Sequence, residues 1–178
     1  MNVIIEQSKK QALDIDILKA HLRIEHDHED EYLKSIIDMS TEILESNIEK
    51  PILKKKYRYV CYCSEFTSVW RIPIPVREVR EILSAQKLQR HKKGKPEYVK
   101  YSVEMNYDTT MLITNWSACP LEIRYSAGIT SKPSKIPKAL QFAILQIAKN
   151  IYECSEENVL ESKYIKHIID ANRTLTVN

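Results

Sequence analysis

The residues best placed for chemistry stand at 26–30, where His26, Asp27, His28, Glu29 and Asp30 spell HxHxD. Hydrolases use such a skeleton to hold zinc, because closely spaced imidazole nitrogens and a carboxylate oxygen fill positions around a tetrahedral ion. The surroundings argue against that chemistry. The next residue is Glu31 where a further histidine is needed, the segment joins two helical patterns instead of following a strand, and the chain lacks a large glycine-rich scaffold. Residues 27–31 read as the acid-rich start of a helix, with Asp27 as its N-cap and negative charge at the positive end of the helix dipole. No metal ligand is assigned.

The other chemical signals are weaker. Ser126-Ala127-Gly128 is not a GxSxG elbow, and no histidine is spaced to complete a triad with it. Cys61, Cys63, Cys119 and Cys154 contain no CxxC pair, and they read as buried reduced thiols of an intracellular protein. Gly94 and Gly128 are the only glycines, which excludes Rossmann fingerprints and phosphate-cradling loops. The chain is therefore expected to be no enzyme and to carry no cofactor. Two basic clusters remain. Arg90, Lys92, Lys93 and Lys95, beside Lys87 and His91, suit either phosphate contact or a solvated turn, and Lys54, Lys55 and Lys56 with Arg58 have the same ambiguity. A net charge of +3 is too small to decide for nucleic acid.

The elements that carry these residues follow from periodicity. With 178 residues, 43% hydrophobic and 29% charged, the chain suits one folded domain with a core. No apolar run approaches the roughly 18 residues that span a bilayer, and no secretory leader is apparent at the N-terminus. Residues 1–12 read as a polar lead-in with a short apolar patch, Val3 to Ile5. Asp14 caps a short helix presenting Ile15, Leu18 and Leu22. A longer helix follows, with Leu33, Ile36, Ile37, Ile43, Leu44 and Ile48 at helical spacing, limited by Pro51. Alternation then takes over. Strands are expected at 57–63, 66–72, 97–105, 110–115 and 121–126, and at 79–89, where Val79, Ile82 and Leu83 would also suit a helix but the flanking prolines and the following hairpin favour a strand. Ile72-Pro-Ile-Pro-Val76 is barred from any central position because proline lacks the ladder donor. A wide apolar helix follows Pro137, built on Leu140, Ala143, Ile144, Ile147, Ala148 and Ile151 and broadened by Phe142 and Leu145. A last helix near 163–172 places Tyr164, Ile165, Ile168 and Ile169 on one face. The expected fold is α+β: a bundle of about four helices with a small antiparallel sheet inserted between the second and third. It reads as a single domain, 1–178, composed of a helical hairpin 13–53, a β insert 54–130, C-terminal helices 135–172 and a mobile tail 173–178.

In this order the pieces resemble the head–tail connector (adaptor) family of tailed bacteriophages and gene transfer agents. LKAHLRI at 18–24 with Asp27 to Leu33 is similar to an opening "LKxHLR…DDxxL". WRIPIPV at 70–76 with Val79 is similar to "LPxxPVxxV", IRYSAG at 123–128 to a strand ending "YxAG", and the helix from Ile136 to Glu153 to "P…A…L…YE". Two departures touch helix ends: Ile48-Glu-Lys-Pro51 has no closing glycine, and Cys154-Ser-Glu156 stands where the family favours Asn-Arg-Glu.

The resemblance implies a structural virion protein that self-associates into a ring, joins a portal protein to the tail or to a stopper, and extends a channel for double-stranded DNA passing without sequence specificity. It implies location in the virion neck, with the bacterial host cytoplasm as the place of assembly, and no membrane partner. On that reading Tyr164, Ile168 and Arg173 are candidate portal contacts, and Arg90, Lys92, Lys93 and Lys95 are candidate contacts to DNA or a neighbouring subunit. The alternative is a small nucleic-acid-binding or regulatory domain using the basic hairpin near Lys92. A metal-dependent hydrolase built on His26, His28 and Asp30 is the third reading.

Overall fold

Aromatic and β-branched residues in alternation make β2 (Lys55–Cys61), which pairs along its whole length with β7 (Leu121–Ala127) at the centre of the larger sheet. The computed structural model describes residues 2–7, 10–62, 69–88, 97–105, 109–115 and 120–173. They divide into two compact units, Met1–Gln7 with Lys54–Gly128, and Ser8–Leu53 with Ile129–Asn178.

The first unit is all β. An antiparallel four-stranded sheet runs in the order β1 (Asn2–Glu6), β2, β7, β4 (Val79–Lys87). A second sheet runs β3 (Trp70–Pro73), β6 (Thr110–Thr114), β5 (Ser102–Met105). Tyr57 pairs with Tyr125 across β2 and β7, and their rings stack with centroids 5.3 Å apart. One core joins the sheets: Tyr57, Ala85, Ile123 and Tyr125 from the first meet Trp70, Ile72 and Leu112 from the second. On the other face of β7, the Glu122 carboxylate, with only 4% of its side chain exposed, accepts from Arg58 Nε at 2.6 Å, Arg124 Nε at 2.9 Å and Gln86 Nε2 at 2.9 Å. Pro73 lies on an edge strand, where its missing donor costs no ladder bond.

The second unit is helical: α1 (Ile15–Leu22), α2 (Asp30–Ile48), α3 (Lys138–Tyr152) and α4 (Lys163–Asn172), with 3-10 turns at Pro133–Lys135 and Val159–Glu161. Leu18, Leu33, Ile37, Leu44, Leu140, Ile144 and Ile165 are fully or almost fully buried in its core. Helices α1 and α2 close without glycine. Arg23 and Glu49 take left-handed conformations with φ 60° and 58°, and their backbone N–H groups cap the last turns.

The expected bundle with one small sheet is overturned. Among the described residues the chain has four α-helices but seven strands in two antiparallel sheets, and the strands form a unit with its own core. The lead-in at Val3 to Ile5 is itself a strand, paired antiparallel to β2. The reason is topological: β7 sits between β2 and β4, while β6 sits between β3 and β5, so β2, β3, β4 and β5 alternate between the two sheets as the chain runs, and only β1–β2 and β5–β6 are successive strands that pair.

Candidate functional site

The HxHxD corner is held by a lysine. Lys19, on α1 and almost wholly buried, places Nζ 2.5 Å from both Asp27 Oδ1 and Asp30 Oδ1. Hydrogen bonds to Asp27 and then Asp30 raise the Lys19 pKa above its ordinary value, and the same Lys19 bond lowers that of Asp27. Asp27 is therefore not the N-cap of α2. That position is Glu29, whose side chain makes no cap bond and instead accepts from Tyr152 Oη at 2.9 Å. The His26 and His28 rings lie 5.6 Å apart. Among the described residues no three His, Cys, Asp or Glu side chains gather in a way that could hold a metal ion. With two carboxylates engaged by one ammonium, this corner ties α1 to the start of α2, and the Tyr152 bond ties α3 to the same place.

Of the three candidate portal contacts, Tyr164 and Ile168 stand on α4 and Arg173 is its C-cap. Ser162 caps α4, its Oγ accepting from the Ile165 backbone N–H at 3.4 Å. Tyr164 does not share the buried face with Ile165 and Ile169, because it stands 78% exposed. Ile168 is half-buried against the helical core, and Arg173 Nη2 donates to Glu49 Oε1 at 2.7 Å, linking the end of α4 to the end of α2. Phe142 of α3, read from sequence as part of the core stripe, is 46% exposed. The signal was available: Phe142 lies about 200° around the helix from Leu140, opposite the stripe. Phe142 and Tyr164 together line an open groove of about 530 Å³ with Lys163, Lys166, His167, Ile168 and Asp170. Two exposed aromatics with Lys163, Lys166 and Asp170 around them can bury apolar area against a partner whose rim carries polar and charged groups.

The candidate DNA or subunit contacts Arg90, Lys92, Lys93 and Lys95 lie outside the described residues, as do Cys63 and Cys119. The other basic cluster is largely occupied internally: Lys56 Nζ lies 2.7 Å from Glu6 Oε2, Arg58 pairs with Glu122, and Lys55 is buried. Cys61 is buried, with Sγ donating to the Leu121 carbonyl at 3.6 Å, whereas Cys154 is exposed, against the expectation of buried thiols throughout. No helix among the described residues is long and apolar enough to cross a membrane.

Comparison with known proteins bears on what these surfaces serve. A family model described as Phage gp6-like head-tail connector protein matches residues 13–116. Over its whole length the chain is similar to a chain in the neck of an empty GTA particle computed with C6 symmetry. That likeness has a TM-score of 0.81 at 16% identity and covers 97% of the other chain. Chains in the virion of a native gene transfer agent particle and in the neck of a native GTA particle computed with C12 symmetry align with TM-scores of 0.78 and 0.77 at the same identity, each covering 100% of this chain and 97% of the other. These likenesses establish the fold. A short stretch of 53 residues is 40% identical to the chromosomal replication initiator protein DnaA of Thermosipho africanus (strain TCF52B), covering 30% of this chain and only 12% of that protein.

Proposed function

The chain belongs to the phage gp6-like head–tail connector family, a family of structural and not enzymatic proteins, and from that premise we propose that it acts as one subunit of a ring in the neck of a phage-like particle. The ring joins the portal protein to the tail or to a stopper, and it extends the channel through which double-stranded DNA passes. The shared fold with chains from GTA necks of C6 and C12 symmetry supports a cyclic arrangement. A closed ring needs one patch of each copy to meet a different patch of the next.

The observation that carries a docking role is the groove between α3 and α4. A monomer gains nothing by holding Phe142 and Tyr164 in water, but aromatic side chains of this kind act as anchors when a partner covers them. The portal is the proposed partner, with Tyr164 and Ile168 as contacts and Arg173 at the helix end. Arg90, Lys92, Lys93 and Lys95 are proposed to face DNA phosphates in the channel or the adjoining subunit.

The test is binding of the full chain to its cognate portal with Tyr164→Asp and Phe142→Asp, singly and together. Each single change is expected to weaken binding at least roughly tenfold, the loss of about 1.4 kcal/mol, with the helical signal unchanged. Wild-type affinity in the double variant would remove the groove from the portal interface.

A further inference from the structure

Two surfaces of the helical unit are charged in opposition to their own local electrostatics. The first is the outer face of α2, where Glu31, Asp38, Glu42 and Glu45 fall within about 60° of one another around the helix axis. Glu31 is engaged by Lys34, and Glu45 Oε1 accepts from the Ile52 backbone N–H at 2.7 Å. Asp38 and Glu42, both exposed, stand at i and i+4 with about 6 Å of rise between them. Like charges at this spacing destabilise a helix by a few tenths of a kcal/mol. Among the described residues neither has a cation within ion-pair distance, and Asp38 accepts one long hydrogen bond from Gln11 Nε2 at 3.4 Å. The last turn of α2 holds Glu45 and no basic residue of its own, and the cation at that end, Arg173, is engaged by the C-cap Glu49. Tyr32 and Met39 stand exposed along its edge, 51% and 50%, and supply apolar area beside the charge.

The second surface is the start of α3. Lys132, Lys135 and Lys138 are all exposed across the 3-10 turn and the first helical residue, and no acidic residue occupies the first turn. Cations at this end oppose the helix dipole, which favours carboxylates there. Among the described residues no carboxylate pairs with any of them, and Lys138 Nζ only reaches Gln141 Oε1 at 3.2 Å. The bond from Tyr152 Oη to Glu29 places the opposite, C-terminal end of α3 beside the start of α2. The lysines therefore stand toward the other end of α2, where the Ile129 and Thr130 N–H groups donate to the Pro51 and Ile52 carbonyls, and among the described residues no ion pair joins them to Asp38 or Glu42 of the same chain.

We infer that the acidic face of α2, centred on Asp38 and Glu42, docks on the Lys132, Lys135 and Lys138 patch of a second copy of this chain. Carboxylates without a cation meet ammonium groups without a carboxylate, and each set relieves the repulsion or dipole opposition that the other suffers alone. The two patches differ, so the contact is heterologous: each copy has one of each to offer, and repetition builds a ring or an open chain. This rests on the ring reading and names the subunit interface within it, apart from the portal groove at Phe142 and Tyr164.

The experiment is sedimentation velocity of the full chain at low and high salt, with two charge-reversed variants. One carries Asp38→Lys and Glu42→Lys. The other carries Lys132→Glu, Lys135→Glu and Lys138→Glu. Each alone opposes like charges across the interface and is expected to self-associate at least roughly tenfold more weakly than wild type, the difference being largest at low salt. An equimolar mixture of the two restores opposite charges at every contact and is expected to recover wild-type association. The neutral variant Asp38→Asn with Glu42→Gln is expected to fall between, and circular dichroism of each variant establishes folding. Wild-type sedimentation of either folded charge-reversed variant overturns this interface and leaves the ring standing. Failure of the mixture to reassociate also overturns it. A wild-type chain that stays monomeric yet loads onto the portal as separate, unclosed copies overturns the ring reading as well.

Discussion

Glu122→Gln isolates the polar network on the β unit. The Glu122 carboxylate is nearly enclosed and accepts from Arg58, Arg124 and Gln86 at 2.6, 2.9 and 2.9 Å. Hydrogen bonds to a charged group contribute about 1.5–3 kcal/mol each. The two guanidinium side chains are 36% and 47% exposed, however, and regain water when the charge is removed. Discounted for that screening, the substitution should destabilise the unit by about 2 kcal/mol at neutral pH, equivalent to roughly 10 °C in the melting temperature of a unit this size. Burial disfavours ionisation of Glu122, but the bonds from Arg58 and Arg124 and their charges outweigh it, so the folded carboxyl titrates below its ordinary value. Its stabilising contribution is thus fully present above the unfolded glutamate pKa of about 4.3 and is lost as pH falls from there through the folded value. Trp70 is buried in the core of the β unit, so tryptophan fluorescence in urea reads its unfolding. The gap between wild type and Glu122→Gln should shrink as pH drops below about 4. A variant within about 0.5 kcal/mol of wild type at neutral pH, or a gap that does not change with pH, would refute the network.

Leu140 is fully buried in the helical core, so Leu140→Ala should cost about 2–5 kcal/mol, seen as loss of helical circular dichroism at lower urea. Gly128 holds φ at 148°, while its N–H donates to the Glu78 carbonyl at 3.0 Å and its own carbonyl accepts from Arg80 Nε at 2.5 Å. Gly128→Ala should therefore destabilise the chain by about 1–3 kcal/mol in the same denaturation assay, with Ala127→Gly as a comparison at an ordinary strand position. Charge reversal of Lys92, Lys93 and Lys95 should reduce genome retention in assembled particles, and unchanged retention would count against a DNA contact there. Deletion of residues 173–178 should weaken portal binding, and unaltered binding would exclude Arg173 and the residues after it from that interface.

What could be read from the chain alone was mostly what is local. The helix stripes of α2 and α3 and the Asp14 cap, whose Oδ1 accepts from the Asp16 N–H at 3.2 Å, depend on neighbours a few residues apart, whereas Val79–Lys87 carried a pattern that also suited a helix and read as a strand only from the prolines and hairpin around it. β1 was missed because three apolar residues carry too little periodicity, and its partner β2 begins about fifty residues later. The division into two sheets was missed because alternation specifies that a strand has two faces but not which strand lies beside it. Asp27 looked like a cap by its position, and only the fold brings Lys19 close enough to engage it. Phe142 was assigned by hydrophobicity when its helical angle already placed it outside, and that error concealed half of the α3–α4 groove.

The most direct test of a connector role is co-sedimentation of the full chain with its assembled cognate portal, read by mass and by images of the particles. The account predicts saturable binding at a fixed ratio to portal subunits, with an added ring of density at one end of the portal. Two folded proteins that fail to associate, or that associate without a fixed ratio and without a ring, would contradict it.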